Sequence, residues 1–280
     1  MKNWNCFLNI DRNISQHLGV MILLLLFTAA GCSSDEASSE ASGGESDQQE
    51  QKSPTGQSQI NTLTSEEQQE GWVLLFDGKT TDGWRGVYKE NFPEKGWKVE
   101  DGLLKVVASG GGEAEFGGDI ITENQYSDFE FSLEFKLTEG ANSGIKYFVK
   151  EIYPEPEGSA VGLEYQLIDD SRPDVEGTWT LASVYELYRA ENKEVNPIGE
   201  FNKARIVAEG DHVEHWLNGK KVVEYTRGSE EFRNLVAESK YSEHENFGEA
   251  SEGHILLQDH GHEVAFRNIK IREIDSGESQ

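Results

Sequence analysis

Basic residues are scarce in this 280-residue chain: 25 Lys and Arg stand against 52 Asp and Glu, a formal net charge of −27. Nucleic-acid binding rests on clustered Lys and Arg that neutralise phosphates, so that class is excluded. Cysteine is nearly absent. Cys6 and Cys32 are the two present, and neither lies in a CxxC pair. A disulfide scaffold and a structural zinc cage are therefore excluded. No apolar run reaches the ~20 residues of a membrane-spanning helix; the run at 18–30 holds 13. Gly110-Gly111-Gly112 is not followed by Lys-Ser/Thr, so it is no phosphate loop, and no serine sits in a GxSxG elbow. No repeat of fixed period appears, which counts against a propeller.

What is present divides the chain. The run at 18–30 follows Lys2 and Arg12 and ends in small residues, the build of a secretory signal. Ala29-Ala30-Gly31 then precede Cys32. The run plus cysteine resembles a bacterial lipoprotein signal, although Ala29 stands where Leu is more usual. The resemblance implies removal of 1–31 and lipidation of Cys32; the other reading is a plain cleaved signal. Residues 32–70 are rich in Ser, Glu, Gln and Gly and carry a net charge of −8. Such a stretch buries too little apolar area to offset its ordering entropy, and is expected to be a disordered acidic tether.

From residue 71 the texture changes to short runs of Trp, Phe, Val, Ile and Tyr punctuated by Gly and Asp. These predict strands at 72–76, 97–100, 103–107, 119–122, 128–137, 143–149, 162–168, 201–209, 212–217, 221–225, 253–259 and 264–271. Phe129, Phe131, Leu133, Phe135 and Leu137 alternate with polar residues, the period of a half-buried antiparallel strand. Asn218-Gly219 and Asp101-Gly102 read as hairpin turns. One short helix is predicted at 229–237. A dozen strands without βαβ rhythm make an all-β sandwich of two antiparallel sheets, with 71–280 as one domain.

Several strands set an unusual polar face against their core face. Leu163, Tyr165 and Leu167 leave Glu164 and Gln166 on the opposite side; Ile145, Tyr147 and Val149 leave Lys146 and Phe148. Ile255 and Leu257 leave His254, Leu256 and Gln258, with His260 beyond. Such a face suits a sugar site, in which polar groups bond hydroxyls and aromatics cover the apolar side of the ring. Taken singly, each residue reads as a solvated strand face. His215, beside Trp216, reads equally as a catalytic group or as a packed imidazole. Gln258-Asp259-His260-Gly261-His262 is a dense polar cluster that could shuttle protons or bind a divalent metal, but its spacing matches no zinc motif.

At this point the blocks GWVLLFDGKTTDGWRG, WKVEDGLL, GGDIITENQYSDFEFSLEFKL, ANSGIKYFV, GLEYQLIDD, HVEHWLNGKKVVEY, ESKY, GHILLQDHG and VAFRNIKIRE follow one another. Over about 70–275 the chain resembles the 3-keto-disaccharide hydrolase domain family. The resemblance implies a concanavalin A-like (lectin/glucanase) jelly roll, and 3-keto-glucoside 1,2-lyase or 3-keto-2-hydroxy-glucal hydratase activity. Its substrate would be a small-molecule sugar, a 3-keto-glycoside supplied by a sugar 3-dehydrogenase.

The implied chemistry needs a base for the carbon-2 proton, an enolate stabiliser and an acid for the leaving oxygen. The candidates carried over are His215 and His260 as base and acid. Lys146 or Arg267 would stabilise the enolate. Glu164, Gln166, Asp169, Tyr185, Lys240 and Gln258 would orient hydroxyls, and Asp259 would hold the His260 tautomer or ligate a metal. No cofactor is assigned, and a divalent metal stands as an open alternative. Lipidated Cys32 would place the protein in the cell envelope, on the periplasmic or the outer-membrane surface, touching the membrane through the anchor alone. Two alternatives stand beside this reading: a non-catalytic carbohydrate-binding lectin-like domain, and an adhesive envelope lipoprotein.

Overall fold

The computed structural model describes residues 60–110, 112, 116–155 and 160–275. The signal segment, Cys32 and most of the tether lie outside the described residues. Among those described, no helix is long and apolar enough to cross a membrane.

In chain order the elements are α1 (Ser65–Gln69), β1 (Val73–Leu74), β2 (Trp84–Gly86), β3 (Trp97–Glu100), β4 (Leu103–Val106), β5 (Ile120–Thr122), β6 (Phe129–Leu137), β7 (Asn142–Val149) and β8 (Leu163–Ile168). Then follow β9 (Asn202–Glu209), β10 (His212–Leu217), β11 (Lys220–Thr226), α2 (Glu230–Glu238), β12 (His254–Leu257) and β13 (Val264–Glu273). They build two antiparallel sheets. One runs β11-β10-β9-β6-β13-β4-β3, with β1 beside β13; the other runs β2-β5-β12-β7-β8. The chain is the sandwich of two antiparallel sheets expected from its alternation, and the jelly roll that the resemblance implies.

The core lies between the sheets. The odd positions of β6, from Phe129 to Leu137, face Ile145 and Tyr147 of β7, Leu163, Tyr165 and Leu167 of β8, and Ile255 and Leu257 of β12. Aromatic rings dominate, and burying each apolar side chain contributes roughly 1.5–3 kcal/mol before the entropy cost. The turns close as their sequences require. Asn218 and Gly219 sit at φ 50° and 83°, Asp101 and Gly102 at 54° and 73°, the positive values a two-residue hairpin needs at both central positions.

One boundary and one strand differ from the sequence reading. Residues 60–70, expected as the end of the tether, belong to the folded body. Thr64 and Glu67 cap α1 reciprocally. Asn61 donates from Nδ2 to the Gly102 carbonyl at 2.8 Å, and its Oδ1 accepts from the Asn268 amide at 2.8 Å. Strand β2 was also unforeseen. Its three residues alternate too briefly to register, and pairing with β5 defines them.

Candidate active site on the outer face of the five-stranded sheet

Because Ile145 and Tyr147 point into the core, Gly144 and Lys146 of β7 point away from it. The registers place Arg85, Ile121, Leu256, Lys146 and Glu164 in one row across all five strands. The row starts beside an apolar cluster of Ile121, Val149, Ala160 and Leu256. It ends on opposite charges, with Lys146 directly across from Glu164. A second row sets Gln258, Gly144 and Gln166 side by side: the Gln258 amide donates to the Gly144 carbonyl at 3.0 Å, and Gly144 pairs with Gln166.

This face is the outside of a sandwich, yet its polar side chains are hidden. Lys146 is 6% exposed, Glu164 5%, Gln166 3% and Gln258 4%. Charged side chains are almost never so buried unless paired. Low exposure sets these side chains below the surrounding chain, as in a recess or under a covering segment. Lys146 Nζ reaches the Ala160 carbonyl at 3.2 Å, in the connection between β7 and β8. The segment 180–188 runs along β8, with the Tyr185 amide donating to the Glu164 carbonyl at 3.0 Å and the Ala182 amide to the Gln166 carbonyl at 2.8 Å. Gly144 is a steric necessity: a Cβ there would stand 2.3 Å from Glu164 Oε1. The floor of the recess has room for the carboxylate only because β7 carries no side chain at that point.

Buried polar atoms with no hydrogen-bond partner among the described residues include Asn142 Oδ1, Gln166 Oε1, His260 Nδ1 and His262 Nδ1. Asn142 shares the face of Gly144 and Lys146. The His260 and His262 rings lie 6.0 Å apart. Ser143 Oγ donates to the Gln258 carbonyl at 2.8 Å, so the segment that leads into the histidine pair adjoins the Asn142 end of β7. Burial holds His262 below the usual imidazole range, with nearby His260 and Arg172 acting in the same direction.

Other candidates are placed elsewhere. His215 is fully buried between the sheets. Its Nδ1 lies 2.9 Å from the Ala182 carbonyl, which only accepts, so Nδ1 carries the proton. Nε2 then accepts from the Tyr147 hydroxyl at 2.8 Å, and Tyr147 accepts from Tyr225 at 2.7 Å. Burial pushes the imidazole down to about 4, against a small upward pull from the Ala182 carbonyl. His215 is the packed imidazole of the two sequence readings, remote from any substrate surface. Arg267 lies on the other sheet, bonded to Glu134 at 2.7 Å and stacked on Phe201 at 3.8 Å, apart from Lys146.

Two aspartates hold backbone rather than ligand. Asp259 Oδ2 accepts from the Gly117 and Gly118 amides at 3.1 and 3.2 Å, and Oδ1 from the Gly261 amide at 3.0 Å. Both oxygens are thus engaged by backbone amides, and no hydrogen bond joins Asp259 to His260 Nδ1 among the described residues. Asp169 accepts from the Gly140 and Ser171 amides at 2.8 and 2.9 Å. Burial alone would raise its carboxyl, but those amides outweigh it and hold the carboxyl low. Among the described residues, one group could gather three metal-ligand atoms: His212, Glu214 and Glu224, on the β10–β11 hairpin of the eight-stranded sheet. Lys221 already bridges its two carboxylates. Lys240 lies over the Tyr185 ring at 4.4 Å.

Sequence reasoning reached His262 only as part of the Gln258–His262 cluster and did not single out Asn142 or Trp179. Asn142 had a signal, since it keeps the two-residue period of Gly144 and Lys146. Trp179 had none, because it sits in the irregular 3-10 turn Gly177–Trp179.

Comparison with known proteins agrees with this architecture. Residues 71–272 match the model of the 3-keto-alpha-glucoside-1,2-lyase-like domain. A 3-keto-disaccharide hydrolase of Bacteroides thetaiotaomicron is 36% identical over 231 residues, 74% of this chain and 79% of that protein. A crystal structure of a candidate glycosyl hydrolase from Parabacteroides distasonis is 34% identical, with a TM-score of 0.69, and covers 78% of this chain and all of its own. A second candidate glycosyl hydrolase of that organism, 23% identical with a TM-score of 0.52 over 73% of this chain and 84% of its own, shares the fold. The chain belongs to the 3-keto-alpha-glucoside-1,2-lyase-like domain family, within the glycoside hydrolase and lyase class.

Proposed function

We propose that the recess binds a 3-keto-glycoside and cleaves it by elimination followed by rehydration, for net hydrolysis. The observation that carries this reading is the buried Lys146–Glu164 pair beside polar atoms that lack partners among the described residues. A hydroxylated ring supplies the donors those atoms need, whereas an apolar ligand would leave them unsatisfied. The family description and the Bacteroides thetaiotaomicron relative support the substrate class and the lyase step.

A carbonyl at carbon 3 makes the carbon-2 proton acidic. A base removes it, and the C–H electrons form an enolate whose oxygen is stabilised by the Lys146 ammonium. The carbonyl re-forms as the bond from carbon 1 to the glycosidic oxygen breaks, and that oxygen takes a proton from a protein acid. Water then adds across carbons 1 and 2, the hydroxyl to carbon 1 and the proton to carbon 2. His260 and His262 are the proton-transfer pair. His262 lies below its ordinary range, so it is neutral at pH 7 and able to accept. Glu164, Gln166, Asn142 and Gln258 orient the ring hydroxyls.

A sugar 3-dehydrogenase must supply the substrate, because the acidifying carbonyl has to exist before the proton is removed. The apolar run and Cys32 support export and lipid anchoring in the cell envelope. The test is release of the leaving alcohol from a 3-keto-glucoside by Lys146→Met and His260→Ala. Each is expected to lose on the order of 10²–10³ in kcat. Full activity in both would contradict the assignment, as would turnover of the unoxidised glucoside at the same rate.

A further inference from the structure

We infer that Trp179, backed by Tyr185, is the platform on which the leaving-group ring of the substrate stacks, an inference that rests on reading the recess as the 3-keto-glycoside site. Trp179 is 44% exposed, and its indole lies 26° from the plane of the Tyr185 ring with centroids 6.3 Å apart. Lys240 Nζ stands 4.4 Å from the Tyr185 centroid, fixing that ring from its own side chain. The indole N–H of Trp179 has no protein partner among the described residues. An aromatic face with a free donor at its edge is what a pyranose ring uses: C–H groups cover the rings, and a hydroxyl accepts from the edge.

The position of the pair assigns the ring it takes. Tyr185 pairs through its backbone with Glu164, and Ser183 and Ala182 with Gln166, so the platform adjoins the polar half of the recess along the free side of β8. The reacting ring occupies the floor, over Lys146 and Glu164. A substituent on its carbon 1 must leave the floor, and the aromatic pair borders the floor where β8 ends the sheet. The strip is also rigid before any ligand arrives. The Leu181 amide donates to Asp170 Oδ1 at 2.7 Å, His215 Nδ1 to the Ala182 carbonyl at 2.9 Å, and the Ala190 amide to Ser183 Oγ at 3.0 Å. Such preorganisation lowers the ordering cost of binding. The buried His215 thus acts on the site at a distance, by pinning the strip that carries the platform.

The experiment titrates the whole protein and its Trp179→Ala variant with trehalose and with methyl α-glucoside, by calorimetry. Neither ligand has the carbon-3 carbonyl, so binding is read without cleavage. The variant is expected to lose about tenfold of the preference for the disaccharide over the methyl glycoside, and Trp179→Phe to restore most of it. An unchanged preference in Trp179→Ala would overturn the platform, as would a wild-type protein that does not prefer the disaccharide. Parallel assays on 3-keto-trehalose keep the two claims separate. Absent turnover with the preference intact overturns the chemistry and leaves the platform standing. Normal turnover with equal losses on both ligands does the reverse.

Discussion

At His215 a neutral imidazole is sealed between the Ala182 carbonyl and the Tyr147 hydroxyl. Its folded value is about 4 against 6.5 for a free imidazole. Between those values the unfolded chain binds a proton that the folded chain refuses. Stability is fully present above pH 6.5 and falls as the pH drops toward 4, by about 3 kcal/mol for this group. His215→Gln keeps a donor and an acceptor but does not titrate. Urea midpoints measured at pH 7 and at pH 4.5 are expected to converge in the variant relative to wild type; identical pH slopes would contradict the sealed neutral ring. The residue types at the site were legible, but their uses were not. Asp259, Asp169 and His215 look catalytic in a one-dimensional text, because nothing in their spacing reveals which backbone amides or carbonyls they meet. Lys146, Glu164 and Gln166 were legible as one face, because alternation fixes direction when neighbours are core residues.

The five-stranded sheet turns that alternation into a site. Its registers align one row from Arg85 to Glu164 and a second from Gln258 to Gln166. Gly144 lies in the second row with an ordinary strand φ, so alanine suits its backbone and only the side chain of Glu164 is displaced. Gly144→Ala is expected to fold with a melting temperature close to wild type and to lose at least about tenfold in kcat/KM. Wild-type activity would show that the position of the carboxylate does not matter. Most strands were legible because each carries a clear period and a Gly or Asp stop. β2 was too short for periodicity, and α1 hid in Ser- and Glu-rich text. Its signal was the Thr64-to-Glu67 spacing of a capping box, and its docking through Asn61 and Asn268 spans 207 residues, beyond local pattern.

For the whole molecule, charge and length divide between parts. Residues 32–59 carry −5 and residues 60–280 carry −23, so most of the acid excess is on the folded domain. That field disfavours anionic polysaccharides and is indifferent to a neutral sugar. On the proposal of lipid anchoring at Cys32, the N-terminal segment would set where the domain works. Cys32→Ser is expected to move the protein from the membrane to the soluble fraction of the cell that makes it, and to abolish labelling by a palmitate analogue. Continued membrane fractionation would contradict lipid anchoring. The central claim is chemical, and one measurement addresses it directly: cleavage of a 3-keto-glucoside deuterated at carbon 2, with the label followed in the early product against free 3-keto-glucose in the same buffer. Elimination predicts that the deuterium passes to solvent at the rate at which the alcohol is released; a product that keeps its carbon-2 deuterium would contradict it.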